Sequence, residues 1–82
     1  MKYYIEVPKE LVEASNLKKD RYEVGEKSFD NFYVKRGLNL LQDFAERFPE
    51  VLEFIVLKDS KGEEHEISEF LKEVEDLNIW AQ

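Results

Sequence analysis

The chain has 82 residues, with 12 basic and 19 acidic side chains and a net charge of −7. It contains no cysteine, which excludes disulfides, thiolate metal sites and cysteine nucleophiles. An apolar fraction of 43%, with 13% aromatic residues, is enough for a core but, at this length, only for one domain spanning residues 1–82 with a thin margin of stability.

Taken in chain order, Lys2 to Val7 reads as a strand, because Tyr3, Ile5 and Val7 alternate with Tyr4 and Glu6. Pro8 ends it and suits the first turn of a short helix over Lys9 to Asn16, which carries Leu11, Val12 and Ala14, with Leu17 as an anchor. Arg21 to Arg36 reads as a hairpin with Tyr22 and Val24 in one arm and Phe32 and Val34 in the other; Gly25 and Asp30-Asn31 supply turn chemistry. Gly37 breaks the chain. Leu38, Leu41, Ala45 and Phe48 then recur at helical spacing until Pro49 forces a stop.

Val51 to Leu57, apolar on both alternating faces except at Glu53, predicts a central strand covered on two sides. Asp59-Ser60-Lys61-Gly62 is a turn, so Glu63 to Ile67 is expected to return as an antiparallel partner. Ser68 is expected to cap a last helix running to Trp80, with Phe70, Leu71, Val74 and Leu77 as its apolar stripe. The fold class is therefore α+β: a small, mostly antiparallel sheet of about four to five strands, from two hairpins plus an N-terminal strand, packed with two to three helices.

Charge is divided unevenly. Residues 1–37 balance at +1, whereas residues 38–82 balance at −8, which argues against direct nucleic-acid binding by the chain as a whole, since that affinity comes from cations neutralising phosphates. Charges at Lys2 and Glu6 leave no apolar region of a signal peptide, and no later run reaches membrane-spanning length. A cytoplasmic location without membrane contact is the expectation.

Chemistry is sparse. His65 is the one histidine and lies in Glu63-Glu64-His65-Glu66; strand alternation sends Glu64 and Glu66 to the face opposite it, so it reads as a surface histidine and not as a metal ligand. Ser15, Ser28, Ser60 and Ser68 fall at turns or caps, and three glycines cannot build a phosphate loop. No enzyme, no metal and no cofactor is expected. The feature of most weight is a carboxylate row, Glu69, Glu73 and Asp76, at i, i+4 and i+7 of the last helix. Together with Glu63, Glu64, Glu66 and the nearby Trp80 it makes a candidate partner-binding surface, able to meet a basic protein as a nucleic-acid strand would.

A further stretch comprises Val7-Pro8-Lys9-Glu10-Leu11, Leu17-Lys18-Lys19-Asp20, Tyr22-Glu23-Val24 and Phe32-Tyr33-Val34-Lys35. It resembles part of the swapped-hairpin transcription-factor family, over Ile5 to Arg36. The resemblance implies an intertwined dimer that would contact DNA phosphates through Lys18, Lys19, Arg21, Lys35 and Arg36; the family's leading basic strand has no counterpart here. The leading expectation is thus a small acidic protein-binding module, such as an inhibitor or regulator carried by a phage or mobile element, that docks its acidic C-terminal half on a basic partner protein. The alternative is the dimeric DNA-binding regulator. A homodimer is compatible with either, given the thin core.

Overall fold

A computed structural model describes residues 1–81, with side chains through Ile79. In chain order it contains β1 (Lys2–Glu6), α1 (Lys9–Ala14), β2 (Arg21–Ser28), β3 (Asn31–Val34), α2 (Arg36–Arg47), a 3-10 helix (Pro49–Glu53), β4 (Val56–Asp59), β5 (Glu64–His65), α3 (Ile67–Glu75) and β6 (Asn78–Ala81). The strands form one sheet in the order β5-β4-β1-β2-β3-β6. Every neighbouring pair is antiparallel except β3 and β6, which run parallel. The α+β class holds, with one strand more than the upper expectation.

The register sorts the side chains. Ile5 lies opposite both Tyr22 and Leu57, and Lys27 lies opposite Phe32. Tyr3, Ile5, Tyr22, Phe32 and Leu57 are all buried and share one face, because alternate residues of a strand point the same way. Leu38, Leu41 and Phe44 of α2 and Ile67, Phe70 and Val74 of α3 complete that core. The other face is polar and half-buried: Tyr4, opposite Glu23 and Lys58, is covered by the Arg21 guanidinium 4.2 Å from its ring centre, and Lys58 meets Glu6 at 3.3 Å.

A bulge in β2 redirects this pattern. Tyr3 pairs with Gly25 but Tyr4 with Glu23, so Val24 is the extra residue. Before the bulge the inward side chains are Tyr22 and Val24; after it they are Gly25 and Lys27. That is why a lysine stands on the core face. Its ammonium sits 5.1 Å from the ring centres of both Tyr3 and Phe70 and 2.8 Å from the Glu73 carboxylate, so its stem is covered while its charge is met by α3.

Several expectations are corrected. Gly25 is mid-strand; the two-residue loop of the hairpin is Phe29-Asp30, with Phe29 at φ 54 and almost wholly exposed. Gly37 does not break the chain: α2 begins one residue before it. Residues 51–57 do not form a central strand. Pro49 starts a 3-10 turn that takes Val51 and Leu52, and only Val56–Asp59 is extended, next to the edge strand β5. Proline at the first helical position and a tight local turn override the apolar run there. Ser68 is not the cap of α3; Glu66 is, and the Ser68 hydroxyl donates to its carboxylate at 2.9 Å.

The last helix also ends early, at Glu75. Asn78–Ala81 instead extends along the free edge of β3, with the Asn78 N–H donating to the Asp30 carbonyl at 3.0 Å. An unpaired edge satisfies more backbone groups than two further helical turns at the chain end would. Among the described residues no helix is long and apolar enough to cross a membrane.

Candidate functional site

Three of the acidic C-terminal residues, Glu66, Glu69 and Glu73, gather where α3 meets Tyr3 of β1 and Lys27 of β2. Two contacts hold this corner. Lys27 and Glu73 join β2 to α3, and Asp59 and His65 join β4 to β5. Between them a narrow cleft of about 60 Å3 is lined by Tyr3, Lys27, His65, Glu66, Glu69, Phe70 and Glu73.

Asp59 is a buried carboxylate, its side chain 1% exposed. Its Oδ1 accepts the Lys61 N–H at 2.8 Å and the Glu63 N–H at 3.1 Å, and its Oδ2 accepts from His65 Nε2 at 2.8 Å. Sequence explains the geometry: Asp opens the turn, Gly62 takes φ 87, and the Gly62 N–H returns to the Asp59 carbonyl at 3.0 Å. The hydrogen bond from His65 is the main reason the Asp59 pKa lies below its ordinary 3.8; burial opposes that shift, and the Glu63 and Lys61 N–H groups and attraction to His65 reinforce it.

A depressed folded pKa has a definite sign. Asp59 should contribute stability fully above 3.8, its ordinary value, and lose that contribution as pH falls through the lower folded value. Urea midpoints measured across the acid range should therefore drop for the native chain, and Asp59→Asn should be less stable at neutral pH with a flatter acid limb. An unchanged acid limb in that variant would contradict the assignment.

His65 is consequently more than a surface histidine. It is half-buried, edge-on to the Tyr3 ring at 5.4 Å, and bonded to Asp59. Asp59, Glu63 and His65 each present a donor atom within 4.8 Å of the others, the one such group among the described residues. Both Asp59 oxygens are already committed to the turn and the imidazole, so the observed arrangement closes a hairpin. Glu64 does point away, but Glu66 lines the same cleft as His65: β5 is only two residues long and Glu66 has already entered the helix cap.

Of the predicted partner-binding residues, the structure brings Glu66, Glu69 and Glu73 together around this cleft, all of them exposed. Glu63 and Glu64 stand apart at the β4–β5 turn, and Asp76 is the C-terminal cap of α3, one residue beyond it. The expectation for Trp80 concerns a side chain outside the described residues. Glu73 is paired with Lys27; Glu69 and Asp76 have no ion pair among the described residues. Sequence reasoning missed Lys27, whose inward position depends on the bulge, and Asp59, whose aspartate-glycine turn was visible but whose reach to His65 was not.

At the other end of β2, a cleft of about 320 Å3 lies between the segment after α1, β2 and the start of α2. An apolar hollow of about 380 Å3 lies between α1 and Phe54, which is 64% exposed. No protein-family model, no curated protein and no solved structure matches this chain.

Proposed function

We propose that this chain is a protein-binding module that uses the acidic edge of α3, from Glu66 through Glu69 and Glu73 to Asp76, to dock on a basic surface of another protein. The observation that carries the reading is the clustering of three exposed carboxylates around one cleft with a single lysine in reach. Exposed like charges at this spacing repel one another, and a cationic partner relieves that repulsion. Glu66 caps α3 and Glu69 lies in its first turn, where the helix dipole favours negative charge. The mode of action is occupancy of a partner's basic site, with inhibition or regulation as the outcome, and it involves no catalysis by this chain.

The test is the association rate with a captured basic partner. It should fall steeply as ionic strength rises, and Glu69→Gln with Asp76→Asn should slow association while changing dissociation little. A rate indifferent to salt and to both substitutions would defeat the electrostatic reading.

A second reading, a DNA-binding dimer, has one observation in its favour. Lys18, Lys19, Lys35 and Arg36 line a common cleft, although Arg21 is drawn away onto Tyr4. Absence of any retarded DNA band at low salt would end it.

A further inference from the structure

The second cleft gathers charge against the trend of the chain. Acidic groups outnumber basic ones 19 to 12, yet Lys18, Lys19, Lys35 and Arg36 line this one hollow of about 320 Å3. None of the four forms an ion pair among the described residues. Glu23 is the one acid on the wall, and it lies beyond ion-pair distance of all four. An anion in this hollow would meet four positive charges, of which Lys19 already has its ammonium 5.7 Å from the Tyr22 ring centre.

Two further features converge on the same space. Tyr22 is 7% exposed, and its hydroxyl oxygen accepts the Lys19 N–H at 3.3 Å. A phenol that accepts still has its own proton to donate, and no acceptor for it is found among the described residues. The 12-residue helix α2 begins at the cleft with no side-chain cap and no acid in its first turn; Lys35 is its cap and Arg36 its first residue. Cations at the positive end of a helix dipole are the reverse of the usual preference, and an anion bound beside them would offset both.

We propose that this cleft is a binding site for the phosphoryl group of a small phosphorylated molecule, held by Lys18, Lys19, Lys35 and Arg36 with a hydrogen bond from Tyr22. The volume suits a group of diphosphate to mononucleotide size. Charge favours a compact ligand over a nucleic-acid strand, since a strand leaving the cleft would run onto a molecule whose residues 38–82 carry a balance of −8. Arg36 offers the planar fork that binds two phosphate oxygens at once, and the lysines add point charge. The inference does not depend on the docking role of α3, which lies on other residues.

The experiment is a titration of the full chain with inorganic pyrophosphate, followed by amide NMR shifts, with a single-stranded oligonucleotide as a parallel arm. The expected result is saturable shifts confined to the amides around Lys18, Lys19, Lys35 and Arg36, about tenfold weaker in both Arg36→Gln and Lys18→Gln. Both side chains are exposed, so each variant should fold as the native chain does. Lys61→Gln, in the β4–β5 turn, should leave binding unchanged. Shifts that fail to saturate, or that spread over lysines throughout the chain, would overturn the site. Tighter saturation of the same residues by the oligonucleotide than by pyrophosphate would overturn the small-ligand assignment.

Discussion

Phe32→Ala should cost about 3–5 kcal/mol of folding stability, a large share of the roughly 5–15 kcal/mol that a domain has in total. For a chain this short such a loss lowers the melting temperature by roughly 10 °C or more. Phe32 is completely buried on β3, and its ring stands edge-on to Phe70 of α3 at 5.8 Å. On the neighbouring strand its ring tip fills the space above Gly25, where an added Cβ would fall 2.6 Å from it. Truncation removes a ring that joins two strands and a helix, and the surrounding backbone cannot close the void. Phe29, three residues earlier, is the control, because its ring is 99% exposed and its φ is 54. Phe29→Gly should hold or raise the melting temperature, by relieving a left-handed conformation that costs a side-chain-bearing residue about 1–2 kcal/mol. Similar losses in both variants would contradict the core described above.

Gly37→Ala should destabilise the protein by about 1–3 kcal/mol, the opposite of what the same change does in an exposed helix, where alanine gains roughly 0.5–1 kcal/mol. A Cβ at Gly37 would lie 2.5 Å from the Glu23 carbonyl oxygen, 2.7 Å from its carbon and 3.0 Å from the Val24 nitrogen. These are backbone atoms of the β2 bulge and cannot rotate aside. The start of α2 would have to lift from the sheet and loosen Leu38 and Leu41 beneath it. Denaturant midpoints of the two chains decide the sign; a variant as stable as the native protein would mean that α2 does not press on β2 as described.

These two positions also show how much of the fold was legible in the residues. Alternation in Tyr3, Ile5 and Val7, the hairpin arms, and the helical spacing from Leu38 through Leu41 and Ala45 are local patterns, and each produced its element, although Phe48, the last of that stripe, caps α2 half-exposed and Phe44 is buried instead. Gly37 misled because its reason is a tertiary contact: a glycine that looks like a helix breaker is needed where a helix meets a strand. The run from Val51 to Leu57 misled because apolar residues serve a 3-10 turn and a strand equally well, and only length and packing separate the two. Asn78–Ala81 became a strand because β3 offered an open edge, which no local pattern reveals.

Candidate sites followed the same division. Glu69 and Glu73 were visible, with Asp76, as a row because helical spacing is regular; Glu66, read as a strand residue facing away from His65, joins them only because it caps α3. Lys27 beside Glu73 required the bulge at Val24, and His65 on Asp59 required the register of a six-residue return. The basic cleft joins Lys18 and Lys19 to Lys35 and Arg36 across the whole β2–β3 hairpin, and only the fold brings those two pairs to one hollow.

The docking role of α3 is tested most directly by immobilising the native chain and a Glu66→Gln, Glu69→Gln, Glu73→Gln variant, exposing both to lysate and washing each at low and at high salt. Glu73→Gln takes the partner from Lys27, whose side chain is only 16% exposed, so a Glu66→Gln, Glu69→Gln variant that keeps the pair is run beside it, and melting curves confirm that both fold. The expected result is a basic protein retained by the native chain at low salt, released at high salt and absent from both variants. Retention of the same proteins by the native chain and the variants, or binding that survives high salt, would contradict the role assigned to this edge.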